Sequence, residues 1–209
     1  MHLAVFTQVL DRQDAVLGFF HRWCEVFARH TTRLTVLAQR VGDVELPDNA
    51  RVLSLGKEQG AGKLAMLLAL RRPWAAACDG GAPDALWLHM VPKFVLYSAP
   101  LAVGKTPMFL WYTHKGVDTA LKLATPLVRR VYTASAESFR LPTRLGKVLV
   151  TGHGIDGEQF APGPRERLVD VLTVGRLAPS NGQDVLLDAV AQLSADVSTE
   201  IAGDILLDQ

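Results

Sequence analysis

Several residues able to do chemistry stand at the ends of apolar runs in this chain. His89 follows Ala85–Leu88, Thr113-His114 follows Met108–Tyr112, Ser135 follows Val131–Ala134, and His153-Gly154 follow Val148–Thr151. An imidazole can hold or pass a proton near neutral pH, and a hydroxyl or a bare backbone can hydrogen-bond a ligand. In an open parallel sheet, ligands sit outside the carboxyl ends of the strands, so His89, His114, Ser135 and His153 are expected to line one cleft, with Gly154 at its hinge. Other chemistries are excluded. Gly56–Lys63 reads GKEQGAGK, but the phosphate loop G-x-x-x-x-G-K-S/T needs a glycine where Lys57 stands and a hydroxyl where Leu64 stands. The turn after the first apolar run, Gln8 to Leu17, has no glycine, so a nicotinamide-binding fingerprint is absent. The six histidines show no zinc spacing and Cys24 and Cys78 have no C-x-x-C partner, so no metal is expected.

The elements that must position these residues alternate. Leu3–Val9, Leu34–Ala38, Val52–Leu55, Ala85–Leu88, Met108–Tyr112, Val131–Ala134 and Val148–Thr151 are predicted strands. Val16, Phe19, Phe20, Trp23, Val26 and Phe27 recur at three and four, which predicts a helix over Ala15–Ala28. Leu64–Ala77, Val91–Val103 and Thr119–Val128 are the other helices of this part. After Gly152-His153-Gly154 and Pro162-Gly163-Pro164 the pattern resumes with strand Val169–Val174, helix Asp184–Leu193 and strand Val197–Ala202. Strands apolar on both sides belong to a parallel sheet covered on both faces, so the fold class is α/β, a doubly wound Rossmann-like sheet followed by an incomplete second one.

Charge places the boundary between them. Residues 1–153 carry 19 Lys/Arg against 11 Asp/Glu, whereas residues 154–209 carry 3 Arg against 10 Asp/Glu. The sign change falls on the Gly-His-Gly and Pro-Gly-Pro turns, giving a first domain over 1–164 and a partial second over 165–209. With 49% apolar residues and two cysteines, the 209-residue chain is neither disordered nor a disulfide scaffold. The apolar stretch Ala85–Tyr112 is broken by His89, Pro92, Lys93, Pro100, Gly104, Lys105 and Pro107, too often for a membrane span, and the amino terminus lacks an export signal. A cytoplasmic protein with reduced cysteines is expected.

One constellation extends from the hinge into the acidic carboxyl-terminal part. Gly154-Ile155-Asp156, Phe160 and Pro162 lead into Val174-Gly175-Arg176-Leu177, then Gly182-Gln183-Asp184-Val185-Leu186-Leu187-Asp188-Ala189, then Ile201-Ala202-Gly203-Asp204. This run resembles the interdomain hinge and first donor-domain βαβ unit of the family 4 glycosyltransferases, which have the GT-B fold. Trp111-Tyr112-Thr113-His114 and Val131-Tyr132-Thr133-Ala134-Ser135 are similar to the acceptor-domain strands of that family.

The resemblance implies retaining transfer of a sugar from a nucleotide-diphosphate donor to an acceptor hydroxyl, without metal or other cofactor, in polysaccharide, glycolipid or other glycoconjugate synthesis. It implies that Gly175, Arg176, Asn181 and Gly182 meet the donor diphosphate. A guanidinium and the N–H groups opening a helix can stabilise the charge that grows on such a leaving group. It also implies that His114 places the acceptor or stabilises charge; a strand-end histidine satisfied by a backbone carbonyl is the alternative. The chain departs from the family at Asn181, where a lysine is usual, and in the turn after the first strand, where Gln8, Asp11 and Asp14 replace a glycine pair. The family's paired-glutamate motif is not reached by Gln209, so the chain is expected to be truncated and inactive alone, or to be a non-catalytic acceptor- or partner-binding module. Lys115, Lys122, Arg129, Arg130, Arg140, Arg144 and Lys147, with Lys57, Lys63, Arg71, Arg72 and Trp74, form basic stretches. They suit either peripheral contact with an anionic membrane or solvated helix faces; nucleic acid is not an expected partner.

Overall fold

His2–Leu10 forms β1 and Arg33–Val41 forms β2, both with runs of consecutive buried residues where each face meets a helix layer. In the computed structural model every residue is described except 61, 63–67, 69, 159, 162, 164–168, 176, 194–195 and 204–209. The chain continues through α1 (Gly18–Arg29), β3 (Ala50–Ser54), α2 (Arg71–Ala77), β4 (Ala85–His89), α3 (Pro92–Ala102), β5 (Met108–Trp111), α4 (Thr119–Leu127), β6 (Arg130–Thr133) and β7 (Val148–Val150). After these come β8 (Val171–Val174), α5 (Gln183–Ala191) and β9 (Thr199–Ala202). Two compact units result, Met1–Gly154 and Ile155–Gln209.

In the first unit all seven strands are parallel, in the order β3-β2-β1-β4-β5-β6-β7. The order reverses between β1 and β4, the place where open α/β sheets bind ligands. One core holds Ala4, Phe6, Leu86, Leu88 and Leu110 against Trp74, Phe94, Val95 and Leu121; Phe6 and Phe94 stack with ring centroids 4.0 Å apart. The other holds Val5, Leu34 and Val36 against Phe20, Cys24 and Ala28 of α1. Beside the second core, Trp87, Trp111 and Tyr132 of neighbouring strands lie ring to ring.

Differences from the sequence-based elements have local causes. The helix expected from Ala15 begins at Gly18, because the Asp14 side chain accepts from the N–H groups of Val16 and Leu17 and holds a turn there. Of the helix expected over Leu64–Ala77, Arg71–Ala77 is helical, and 64–67 and 69 fall outside the described residues. Pro162 and Pro164 of the expected hinge lie outside them too. Lys147, counted with the surface cations, is buried and donates to the Val128 carbonyl just beyond α4. Burial, with Arg144 nearby, pushes its ammonium pKa down. Asp118 caps α4, its Oδ1 accepting from Leu121 N at 2.7 Å. Asp118→Ala should therefore cost about 1 kcal/mol in urea unfolding; an unchanged midpoint would show that the cap adds nothing there.

In the second unit β8 and β9 pair in parallel, Val171 opposite Thr199 and Val174 opposite Ala202. None of its described residues is buried, and Val174 is 76% exposed. Among the described residues no helix is long and apolar enough to cross a membrane.

Candidate functional site

Thr7, near the end of β1, and His89, ending β4, face each other across the point where the strand order reverses. Thr7 Oγ1 and His89 Nδ1 are 3.2 Å apart, and both residues are buried, His89 to 1% exposure. The Phe20 ring lies on the imidazole at 3.9 Å between centroids, nearly parallel. Phe19 and Trp23, also of α1, meet it at steep angles, each at 6.2 Å. Enclosure in this apolar nest lowers the His89 pKa from 6.5 to about 4, so the ring is neutral at physiological pH. Its Nε2 is buried without a hydrogen-bond partner.

The backbone after His89 is bent to suit. Val91 N donates to His89 O at 2.8 Å, closing a three-residue γ-turn around Met90, whose φ of 63° is positive. Positive φ in such a turn is strained for a residue with a side chain. Met90 N is held by Trp111 O at 2.8 Å, which ties the turn to β5.

Trp111 packs on Trp23 at 5.3 Å and carries His153 at 5.9 Å. Gly154 lies beside the Trp23 indole, where an added Cβ would make ordinary contact at 3.9 Å. The structure thus links His89, Trp23, Trp111, His153 and Gly154 into one group, in which His89 is enclosed rather than open. His114 belongs to a neighbouring turn: its N donates to Ser138 O at 3.0 Å, and its Nδ1 accepts from Gly116 N at 2.9 Å. An added Cβ on Gly116 would sit 2.8 Å from the exposed His114 ring, so a side chain there would make the ring shift. Ser135 Oγ lies 3.0 Å from Ser138 Oγ on the same turn. His114 and Ser135 therefore share the Ser138 turn, whereas His89 and His153 share Trp111.

In the second unit Gly175, after β8, is held by Ala202 O at 2.9 Å. A Cβ there would meet Asn181 Nδ2 at 3.5 Å, so the two residues adjoin. Gly182 precedes α5 with φ 67°, a left-handed conformation that favours glycine. These three gather at one helix start; Arg176 lies outside the described residues.

Sequence reasoning assigned Phe19, Phe20 and Trp23 only to a buried helix stripe and did not single out Thr7. The stripe gives no sign of what it packs against, and methionine gives no sign of positive φ.

The fold is that of the GT-B glycosyltransferases. Similar solved structures include the lipopolysaccharide outer core galactosyltransferase WaaB in its apo form, with TM-score 0.64 and 11% identity over 98% of this chain and 61% of that one. An α-glucosyltransferase in complex with UDP and a 13-mer DNA containing a central A:G mismatch has TM-score 0.62 and 12% identity, over 98% of this chain and 56% of that one. MurG of Acinetobacter baumannii has TM-score 0.55 and 11% identity, over 96% of this chain and 59% of that one. The chain spans 56% to 61% of the length of these structures. No family model matches the sequence, and no curated protein matches it significantly.

Proposed function

We propose that this chain belongs to a retaining, metal-independent glycosyltransferase of family 4, moving a sugar from a nucleotide-diphosphate donor to an acceptor hydroxyl. The observation that carries the reading is the seven-stranded parallel sheet with a following βαβ unit, similar to glycosyltransferase structures over nearly the whole chain. Residues 1–164 then supply the acceptor side and residues 165–209 the start of the donor side. The Gly175–Asn181–Gly182 corner presents helix-opening N–H groups, and Arg176 adds a fixed positive charge; together they suit a leaving diphosphate. Asn181 can donate a hydrogen bond to it but brings no charge. His114, held by the Ser138 turn, positions the acceptor.

Calorimetric titration with UDP, GDP and ADP in EDTA tests the donor side. One of them is expected to bind without metal, and Arg176→Ala to weaken it by about tenfold or more. No binding by any of them, or binding indifferent to Arg176, would overturn the donor assignment. A second reading, a binding module without turnover, is favoured by Asn181 in place of the family's lysine. Because both readings expect no turnover by the 209-residue chain, the two are separated by the coding sequence: continuation in frame past Gln209 into a paired-glutamate motif favours the enzyme, and a stop there favours the module.

A further inference from the structure

The amino ends of the strands, opposite the end that carries His89, His114 and Ser135, hold an open cleft of about 420 Å³. Its walls come from two connections, Val103–Met108 between α3 and β5, and Leu127–Arg129 between α4 and β6. The first connection opens with a type II turn. Ala102 O accepts from Lys105 N at 3.0 Å, Val103 has φ −56° and ψ 132°, and Gly104 has φ 77°, the left-handed corner that suits glycine. Thr106 N also donates to Ala102 O, at 2.8 Å, so Lys105 and Thr106 leave the turn in fixed places. Arg129 N donates to Met108 O at 2.7 Å, which sets Arg129 beside the first connection.

Two features of these walls lack a counterpart in the fold. Thr106 is 3% exposed, and its Oγ1 is one of three buried side-chain polar atoms without a hydrogen-bond partner among the described residues. Such atoms are uncommon in folded proteins and costly to keep. Lys105 and Arg129 are exposed, and among the described residues neither forms an ion pair. The ends of α3 and α4 account for part of that charge, since each helix brings about half a negative charge to its carboxyl end. At α4 that end is met by the buried Lys147, which donates to Val128 O. Two full positive charges therefore face about half a negative one, at the end of α3.

We propose that this cleft binds a phosphate monoester with an apolar body, its dianion held between Lys105 and Arg129 and hydrogen-bonded by Thr106. A carboxylate would match one cation and leave the other unpaired, whereas a phosphate monoester carries nearly two charges and three acceptor oxygens. The guanidinium pairs with two of these oxygens. Rotation about the Cα–Cβ bond of Thr106 exchanges its hydroxyl with its methyl, which offers the buried donor to the ligand without moving the chain. The volume exceeds what a bare phosphate fills, and Val103 and Leu127, 60% and 43% exposed, give the rest of the ester an apolar support. The cleft stands apart from the transfer reaction proposed above: β5 separates it, at Met108, from Trp111 at the other end of the sheet.

The test is an amide NMR titration of the ¹⁵N-labelled 209-residue chain with phenyl phosphate, each point matched in ionic strength with sodium chloride. The pH is held well above the second pKa of a phosphate ester, about 6, so that the probe is a dianion. Saturable shifts are expected at the amides of Gly104, Lys105, Thr106 and Arg129. Inorganic phosphate is expected to shift the same amides with weaker affinity, since it has no body to rest on Val103 and Leu127. Gly175, Asn181 and Gly182 are read in the same spectra, so phosphate captured in the second unit is told apart. Arg129→Gln should weaken phenyl phosphate by about tenfold or more, and Arg129→Lys by less. Thr106→Val keeps the side-chain shape, removes the hydroxyl and should weaken it by about threefold or more, with no loss of stability in urea unfolding. Absence of saturable shifts at the cleft up to tens of millimolar overturns the proposal, as does affinity unchanged in both Arg129→Gln and Thr106→Val. Response of these amides to phosphatidylglycerol vesicles but not to phenyl phosphate would make the surface a membrane contact and overturn it too.

Discussion

Acidification from pH 7 to pH 4 should cost the first unit about 3 kcal/mol through His89 alone. Burial holds the folded pKa near 4 against 6.5 for an ordinary histidine. The unfolded chain therefore takes up a proton below pH 6.5 that the folded chain refuses until about pH 4. Stability attributable to His89 is complete above this window, falls across it, and levels off below it. His2 is shifted the same way, first by burial and then by Arg33, and adds to the slope. Asp14 and Glu58 are held below their ordinary values of 3.8 and 4.5, so what they contribute is lost only at the acid end. Urea unfolding at intervals from pH 7 to pH 4.5 isolates the histidines. His89→Phe should flatten most of the slope while raising stability at the acid end; an unaltered slope would show that the imidazole is not shielded as described.

Phe94→Ala should destabilise the first unit by about 3–5 kcal/mol. Phe94 is 1% exposed on α3 and its ring stacks on Phe6 of β1, so truncation opens a cavity between the helix layer and the central strands. Neighbours cannot readily fill it, because Leu86, Leu88, Leu110 and Val95 already pack in the same core. Val185→Ser in the second unit should stay within about 0.5 kcal/mol, since Val185 is 67% exposed. Equal losses from the two substitutions in chemical denaturation would refute the division of stability between the units.

The parallel sheet was legible because its strands are apolar on consecutive residues. Leu86, Trp87 and Leu88, or Leu110 and Trp111, have no polar side to turn to water, so both faces must be covered. Gly182 before an apolar helix was legible from its residue type. Local polar capture was less so. Asp14 draws two backbone N–H groups into a turn and removes three residues from the expected start of α1, and nothing in the apolar spacing of Ala15–Ala28 registers that competition. Lys147 counted as surface charge until the Val128 carbonyl beyond α4 proved to be its partner. At the candidate site, the position of the histidines at the ends of strands was legible. Their division between Trp111 and the Ser138 turn was not, because it depends on which side chains of α1 and of the loop after β6 reach them. Thr7 was hidden for the same reason: it is one more buried residue of β1 until His89 lies opposite it.

The placement of the aromatic residues determines what optical measurements of this protein can see. All four tryptophans and all three tyrosines precede Gly154, and Trp23, Trp87 and Trp111 lie in one ring cluster. Near-ultraviolet dichroism and intrinsic fluorescence thus report the first unit, dominated by three coupled indoles close to His89. Residues 155–209 contain a single aromatic residue, Phe160, and contribute no indole or phenol to either signal. A melt of this chain therefore needs a backbone probe such as far-ultraviolet dichroism beside fluorescence, since the second unit has no indole of its own to report a transition.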